Sequence, residues 1–276
     1  MPEMIQETER HEKLEDISIR SVRGLCAAGV WLAIAGYMAP AAQAGRFSLL
    51  TGFEYSSGNY GESETTDITY IPVVAKYETG PWVVKLTVPY IEIAGPGNVV
   101  RDIGSVSGIT SGTRTRASGL GDVVTAVSYN VYANKDNGRV VDLTGKIKFG
   151  TADQSQGLGT GENDYAGQVD VYQSLGKFSL LGTLGYRVMG SPPGLALNNV
   201  FYGTLGGGYK ISTQSSSGLL LYMRQKAAPN GFPQEEITAY LSHKFDQAYT
   251  GQAYVLRGLT SGSPDWGIGA TISRGF

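Results

Sequence analysis

The sequence is poor in the residues from which most catalytic and metal sites are built. Its 276 residues contain one cysteine and two histidines, and charged residues make up 17% of the chain. Metal sites of the common kinds need several cysteines or histidines close together, so the sequence predicts no metal site and no cofactor. After residue 45 the chain also lacks a run of roughly 20 apolar residues, which argues against a membrane-spanning helix there.

Helical periodicity is missing from the same region, whereas alternation with a period of two is frequent. Trp82, Val84 and Leu86 share one face, while Lys85 and Thr87 take the other. The chain is rich in glycine and tyrosine, with 39 and 17 residues, which suits an all-β fold with many turns. About twelve alternating segments of strand length follow one another: near 46–56, 67–78, 82–93, 121–132, 140–150, 164–175, 178–189, 200–211, 217–226, 235–245, 248–258 and 266–276.

The connections between these segments alternate in length. The long, polar ones lie near 57–66, 94–120, 151–163, 190–199, 227–234 and 259–265, and the short ones near 79–81, 133–139, 176–177, 212–216 and 246–247. Long outer loops that alternate with short periplasmic turns, with an even number of strands, are typical of transmembrane β-barrels of the bacterial outer membrane. A soluble sandwich has no reason to follow this rhythm.

The first 44 residues have the features of an export signal. Arg20 and Arg23 precede an apolar run from Leu25, and a stretch of small residues follows, in which Ala42 and Ala44 form an A-x-A cleavage pattern. A membrane anchor is the alternative, but the run is short for a spanning helix. We therefore expect residues 1–44 to be a cleaved signal peptide and residues 45–276 to be the barrel. Cys26 lies in the part that is removed.

The C-terminus adds an assembly feature. Phe276 has the same parity as Trp266, Ile268 and Ile272, so an aromatic residue ends the apolar face of the last strand. This arrangement is the expected recognition signal for the bacterial barrel-assembly machinery. Aromatic residues near strand ends fit the two interfacial girdles of such barrels: Tyr55, Tyr77, Trp82, Tyr90, Tyr129, Tyr132, Tyr186, Tyr209, Tyr249 and Trp266.

These patterns predict an antiparallel up-and-down β-barrel of about twelve strands in the outer membrane of a Gram-negative bacterium. Strands must close on themselves in hydrocarbon because each unpaired backbone group costs several kcal/mol. Removing residues 1–44 leaves equal numbers of acidic and basic residues. A near-neutral chain gives no electrostatic case for nucleic acid, so outer-membrane lipid and a small-molecule solute are the expected partners.

Charged side chains with inward parity are the candidate lumen lining. At membrane depth they must face water or pair with one another, so they indicate either a polar conduit or a network of ion pairs that plugs the barrel. A twelve-strand barrel is intermediate in width between one that packs its own side chains and an open porin. We favour the conduit. The candidates are Asp122, Asp142, Lys146, Lys148, Asp170, Arg187, Lys210 and Arg224.

Catalysis has weak support in the sequence. His243 shares parity with Ile237 and Leu241 and should face outward near the periplasmic interface. Ser242 beside it points the other way, and neighbours along a strand do not meet across the pleat. The glycine-rich run 157–161 matches no nucleotide-binding spacing and is interpreted as an outer loop. The sequence therefore predicts a protein that is not an enzyme.

Several short motifs, taken in order, resemble one known family. They are Val88-Pro89-Tyr90, Gly119-Leu120-Gly121-Asp122, Lys146-Ile147-Lys148-Phe149-Gly150-Thr151, Gly157-Leu158-Gly159-Thr160-Gly161-Glu162 with Tyr165, and Gly185-Tyr186-Arg187. The series resembles the outer-membrane transporter family named for the meta-pathway of phenol degradation. The resemblance implies a barrel linked to the passage of small, often aromatic or apolar, compounds, and it brings no binding residues with it.

Two functions from different classes remain. The first is an outer-membrane channel or transporter for small molecules, including hydrophobic or aromatic ones. The alternative is a structural or surface-interaction barrel without transport activity, which would act through its outer loops. The longest expected loop, 94–120, carries Arg101, Arg114 and Arg116.

Overall fold

The alternating segments form strands in the computed structural model, which describes residues 45–97, 99–101, 103–105 and 114–276. The predicted signal peptide, with Ala42 and Ala44, lies outside the described residues. The strands are β1 (Arg46–Gly58), β2 (Thr66–Thr79), β3 (Trp82–Pro96), β4 (Val99–Val100), β5 (Gly104–Ser105), β6 (Arg114–Leu120), β7 (Val123–Asn134), β8 (Arg139–Phe149), β9 (Asp164–Leu175), β10 (Phe178–Val188), β11 (Val200–Lys210), β12 (Ser215–Arg224), β13 (Gln234–Lys244), β14 (Tyr249–Gly258) and β15 (Trp266–Gly275).

The wall of the molecule is a closed antiparallel barrel of 12 strands. Each strand pairs with its neighbour in the chain, and β1 pairs with β15 to close the ring. β6 and β7 count as one wall strand because both pair with β3. The predicted fold class is confirmed, and closure satisfies the backbone groups that an open edge would leave unpaired.

The two ends of the barrel differ in the way the sequence predicts. Short turns at one end include Asn137-Gly138, where Gly138 has a φ of 63° that suits glycine. The first residue of β1, Arg46, and the C-terminal Phe276 after β15 lie at this turn end. The longer connections 59–65, 97–113, 150–163, 189–199, 225–233 and 259–265 lie at the opposite, loop end.

The outer surface of the wall is apolar. Leu143 on β8 is 47% exposed while its neighbours Asp142 and Thr144 are buried, and the other strands alternate in the same way. Such a belt suits lipid and not water. Aromatic pairs pack on this surface near both rims: Trp82–Tyr129, Phe178–Tyr209 and Phe47–Phe276 at the turn end, and Tyr186–Phe201 and Tyr55–Trp266 at the loop end.

One part of the predicted longest loop belongs to the wall. Residues 114–120 form β6, so Arg116 lies on a strand and not in a loop as expected. Pro89 on β3 has no N–H to donate, and the pairing of β3 is interrupted there, between its partners β6 and β7. Gly121 donates its N–H to the Pro89 carbonyl at 2.9 Å, and Val123 donates to Thr151 Oγ1 at 2.9 Å. Loop residues therefore complete the hydrogen bonds at this break.

The described residues include one 3₁₀ turn, Gln154–Gln156. It is capped by Asp153, whose side chain accepts hydrogen bonds from the Ser155 and Gln156 N–H groups. The Ser155 hydroxyl and the Gln156 side-chain amide also donate to Asp153, and these side-chain bonds, with the backbone ones, lower the pKa of Asp153. In the described part of the chain, no helix has the length and apolar character needed to cross a membrane.

Candidate functional site: the barrel lumen

The predicted lumen residues have inward parity in the structure. Asp142, Asp170 and Arg224 are buried, each flanked along its strand by residues that face outward. Lys146 and Lys148 follow Asp142 on the same face of β8, while Arg187 and Lys210 lie on the inner faces of β10 and β11. Asp122 sits in the break between β6 and β7. Whether this set lines a solute path stays a prediction.

Two of the candidates form a fixed polar patch on adjacent strands. Asp142 and Asp170 face each other directly in register. Asp170 accepts hydrogen bonds from Thr183 Oγ1 and Gln168 Nε2, both at 2.7 Å, and Asp142 accepts one from Asn130 Nδ2 at 2.6 Å. Charge-assisted hydrogen bonds of this kind offset part of the cost of burying a carboxylate. This patch is held rigidly by the wall itself.

Lys148 and Asp122 serve to attach a loop. The Lys148 ammonium lies 3.0 Å from Asp122 Oδ2 and 3.3 Å from Asp164 Oδ2. Asp122 also accepts a hydrogen bond from the Ala152 N–H at 3.0 Å. The loop 150–163 is thereby tied to the break in the wall, so this pair of charges has a structural use besides any contact with solute.

Tyrosines occupy much of the inner wall, and three of them lie against glycines of the neighbouring strand. A Cβ atom built on any of these glycines would overlap the ring, so only glycine permits the close approach. The pairs, with the distance from that ideal Cβ to the nearest ring atom, are Gly185–Tyr202 (2.3 Å), Gly269–Tyr254 (2.2 Å) and Gly218–Tyr240 (2.6 Å). The three rings are buried in one cluster on the inner wall, which gives this part of the lumen an aromatic lining.

Tyr202 links this aromatic lining to the charges. Its hydroxyl donates a hydrogen bond to Gln168 Oε1 at 2.9 Å. Lys146 Nζ lies 5.6 Å and the Arg187 guanidinium carbon 5.8 Å from the centre of its ring, both within the range of a cation–π attraction. One aromatic ring is therefore accompanied by two cations on the inner wall.

Part of the connection 97–113 lies inside the loop-end mouth of the barrel. Val99, Val100 and Ile103 are buried, and β4 and β5 form a small hairpin around them. Val99 packs in one apolar cluster with Ile68, and Val100 and Ile103 pack in a second cluster. We call residues 99–101 and 103–105 the inward segment. This fold was not predicted, because the segment has neither strand nor helix periodicity in its sequence.

A charge contact attaches the inward segment to the wall. Arg101 Nη2 lies 3.3 Å from Glu54 Oε1, with the Arg101 and Glu54 side chains only 13% and 3% exposed. The Arg101 guanidinium also lies over the ring of Tyr70, 3.5 Å from its centre. Glu54 accepts a further hydrogen bond from the Tyr254 hydroxyl at 2.9 Å. Nearby, burial raises the pKa of the Tyr60 phenol well above its usual value.

A cavity of about 60 Å³ lies at the inward segment. Its wall mixes apolar side chains with charged ones, so both kinds of group face the same small space. The lining residues that matter below are Ile91, Val100, Ile103, Met189, Lys148 and Arg187. Two of the predicted lumen cations therefore meet apolar surface just inside the mouth.

His243 has a serine partner on the neighbouring strand, which the alternation along its own strand did not predict. Ser242 is buried in the lumen as expected, but Ser215 lies opposite His243 on β12, and its Oγ is 2.8 Å from His243 Nδ1. The imidazole also packs edge-on against Phe245. A nucleophilic serine needs a group that orients the imidazole and donors for an oxyanion. Among the described residues, Ser215 is the hydrogen-bond partner of His243, so this contact is best explained as part of the turn-end girdle.

A metal centre is equally unsupported in the described part of the chain. No three His, Cys, Asp or Glu side chains there are arranged so that they could hold a metal ion.

Comparisons with known proteins give a fold and no family. No protein-family model matches the chain, and no curated protein matches it in sequence. The structure is similar to an outer membrane channel from Pseudomonas putida F1, with a TM-score of 0.63 and 15% identity over 87% of this chain and 100% of that one. It is also similar to the KdgM porin in complex with disordered oligogalacturonate, with a TM-score of 0.52 and 9% identity over 82% and 99%.

The specific transporter family that the motifs resemble is therefore not confirmed. The shared fold, the closed wall and the apolar outer belt support a coarser conclusion. The protein is an outer-membrane β-barrel with the fold of channels and porins.

Proposed function

We propose that the protein is an outer-membrane channel for small molecules, and that apolar or aromatic compounds are among its solutes. The observation that carries the proposal is the inner wall, where tyrosine rings lie close against glycines beside charged side chains. Flat aromatic surfaces bind aromatic solutes through ring–ring contacts and impose little directional demand.

The fold comparisons support the passage role at a coarse level. One neighbour is an outer membrane channel, and the other is a porin in complex with an oligogalacturonate. The motif resemblance described above favours aromatic or apolar compounds over sugars. Because a small hydrophobic molecule crosses lipopolysaccharide slowly, a protein path for it would be useful to the cell.

The inward segment defines the narrowest part of the proposed path. It lies in the loop-end mouth and is held by Arg101 to Glu54 and Tyr70. Solute would enter from the outside past this segment, meet the cavity with its apolar and charged lining, and leave at the turn end. The candidates Asp122, Asp142, Lys146, Lys148, Asp170, Arg187, Lys210 and Arg224 would be the polar part of that path.

Deletion of the gene tests the proposal in living cells. Uptake of a labelled small aromatic compound is expected to slow in the deletion strain and to recover with the wild-type gene. Unchanged uptake, together with a loss of surface adhesion when the outer loops are shortened, would reject transport and favour the structural or surface-interaction barrel.

Export and assembly are part of the same proposal. Residues 1–44 would be removed by signal peptidase after Ala44, and Phe276 would be recognised by the barrel-assembly machinery. N-terminal sequencing of the protein isolated from outer membranes tests the first step. A first residue of Gly45 is expected, whereas a mature chain that retains Met1 would reject cleavage.

A further inference from the structure

The hydrogen-bond register of the wall arranges several inward cations in one row. Strands in a barrel are tilted, so a line that passes from each residue to its partner on the next strand climbs around the barrel. One such line runs from Lys76 on β2 to Lys85 on β3, Ala126 on β7, Lys146 on β8, Ala166 on β9 and Arg187 on β10. We call Lys76, Lys85, Lys146 and Arg187 the basic row.

The basic row spans the height of the barrel. Lys76 and Lys85 lie near the turn end of their strands, and Arg187 is the last residue but one of β10 at the loop end. Arg187 also lines the cavity beside the inward segment. A solute that arrived from the mouth would therefore meet Arg187 first and would reach Lys85 and Lys76 near the periplasmic exit.

The spacing suits the transfer of an anion from one cation to the next. Lys76 and Lys85 oppose each other on adjacent strands, whose backbones are about 5 Å apart. Only one strand separates Lys85 from Lys146, and one separates Lys146 from Arg187, so those backbones are about 10 Å apart. Lysine and arginine side chains are long enough to shorten these gaps. The intervening residues, Ala126 and Ala166, have small side chains, of which Ala126 is buried and Ala166 packs against the tyrosine cluster.

The basic row places two like charges opposite each other. Like charges placed directly opposite each other on paired strands are destabilising, and Lys76 and Lys85 are such a pair. Glu78 contacts Lys76 at 3.3 Å, but it lies two residues further along β2 and is paired with Val83, outside the basic row. The opposed carboxylates Asp142 and Asp170 lie on another row as well, where hydroxyl and amide groups donate to them. The opposed lysines and the opposed carboxylates thus lie on different rows of the wall.

Aromatic surface accompanies the upper half of the row. Tyr202 lies next to both Lys146 and Arg187, and its ring is held against Gly185. A solute with a negative group and a flat apolar body could contact a cation and a ring at the same time.

We propose that the basic row guides the carboxylate of small amphipathic monoanions, with aromatic carboxylates as the preferred class, along the lumen. This inference rests on the proposed channel function and specifies its solute. In water, each cation raises the local concentration of a monoanion about 7 Å away by roughly threefold, and added salt weakens the effect.

Reversal potentials across planar bilayers test the inference at low salt, with gradients of potassium chloride and of sodium benzoate. The test variant combines Lys85→Gln, Lys146→Gln and Arg187→Gln. The control combines Lys135→Gln, Lys177→Gln and Lys226→Gln, which removes the same charge from exposed residues outside the wall strands. Heat-modifiable mobility on gels verifies that each barrel is folded.

The wild type and the control are expected to prefer anions and to pass benzoate. The test variant should lose roughly tenfold in the anion-to-cation permeability ratio while it still conducts. A conducting wild type without anion preference, or a test variant with the selectivity of the control, would overturn the inference and leave the channel function intact. A folded wild type that carries no current would reject both.

Discussion

Replacement of Arg101 by alanine should widen the loop-end mouth. Arg101 is the residue through which the inward segment contacts a buried carboxylate and a ring of the wall, 3.3 Å from Glu54 Oε1 and 3.5 Å from the centre of Tyr70. Breaking a fully buried ion pair costs about 3–5 kcal/mol, and a cation–π contact contributes about 0.5–2 kcal/mol. Water at the mouth screens both, so we expect the contact to hold the segment by about 1–3 kcal/mol.

A loss of this size changes the balance between the docked and released segment by about 5- to 150-fold. Single-channel recording should show the change as a larger conductance or longer open times for Arg101→Ala. Glu54→Gln keeps an oxygen for the Tyr254 hydroxyl but removes the charge, so its effect should be smaller. Arg116→Ala is the matched control, because that arginine is 73% exposed on β6. Recordings of Arg101→Ala that match those of the wild type would refute the role of the inward segment as the narrowest point.

Three further changes have defined outcomes. Gly185→Ala forces the Tyr202 ring away from the wall, so the free energy of unfolding in urea should fall by about 1–3 kcal/mol. Gly167→Ala is the control, because a Cβ atom at Gly167 meets open space. Equal urea midpoints for the two variants would contradict the close packing of Tyr202 on Gly185. Burial raises the pKa of Tyr60 above the usual tyrosine value of 10.0, so the folded protein keeps the phenol proton when the unfolded chain loses it. The free energy of unfolding should therefore fall as the pH rises above 10.0. If the ultraviolet phenolate signal at about pH 11 is smaller in Tyr60→Phe than in the wild type, Tyr60 ionises there and is not buried. Phe276→Ala should reduce the amount of heat-modifiable barrel in outer membranes, and undiminished assembly would exclude Phe276 as the signal.

The wall of the barrel was predictable because its pattern is local. Lipid outside and a lumen inside select opposite side chains at successive positions of a strand, so a stretch such as Trp82 to Tyr90 reveals its two faces without knowledge of its neighbours. Turn residues such as Gly138 marked the boundaries to within a few residues. The inward parity of Asp142 and Lys146 followed from the same alternation.

The features that depend on contacts between distant residues were not predictable. Arg101 and Glu54 are 47 positions apart, and no periodicity brings the inward segment into the mouth. The Gly185–Tyr202 contact and the Ser215–His243 contact require the register between strands, which alternation alone does not fix. For the same reason the basic row appears only when the strands are aligned.

Access to the lumen from a single position tests the central claim most directly. Residues 45–276 contain no cysteine, so a cysteine introduced by substitution would be the only one in the barrel. Ala166→Cys faces inward on β9, and Gly167→Cys beside it faces the lipid. If solutes pass through the barrel, a bulky water-soluble thiol reagent should reduce the single-channel current of Ala166→Cys in discrete steps and leave that of Gly167→Cys unchanged. A labelled Ala166→Cys protein that conducts as before, or a folded barrel that carries no current at all, would contradict the account.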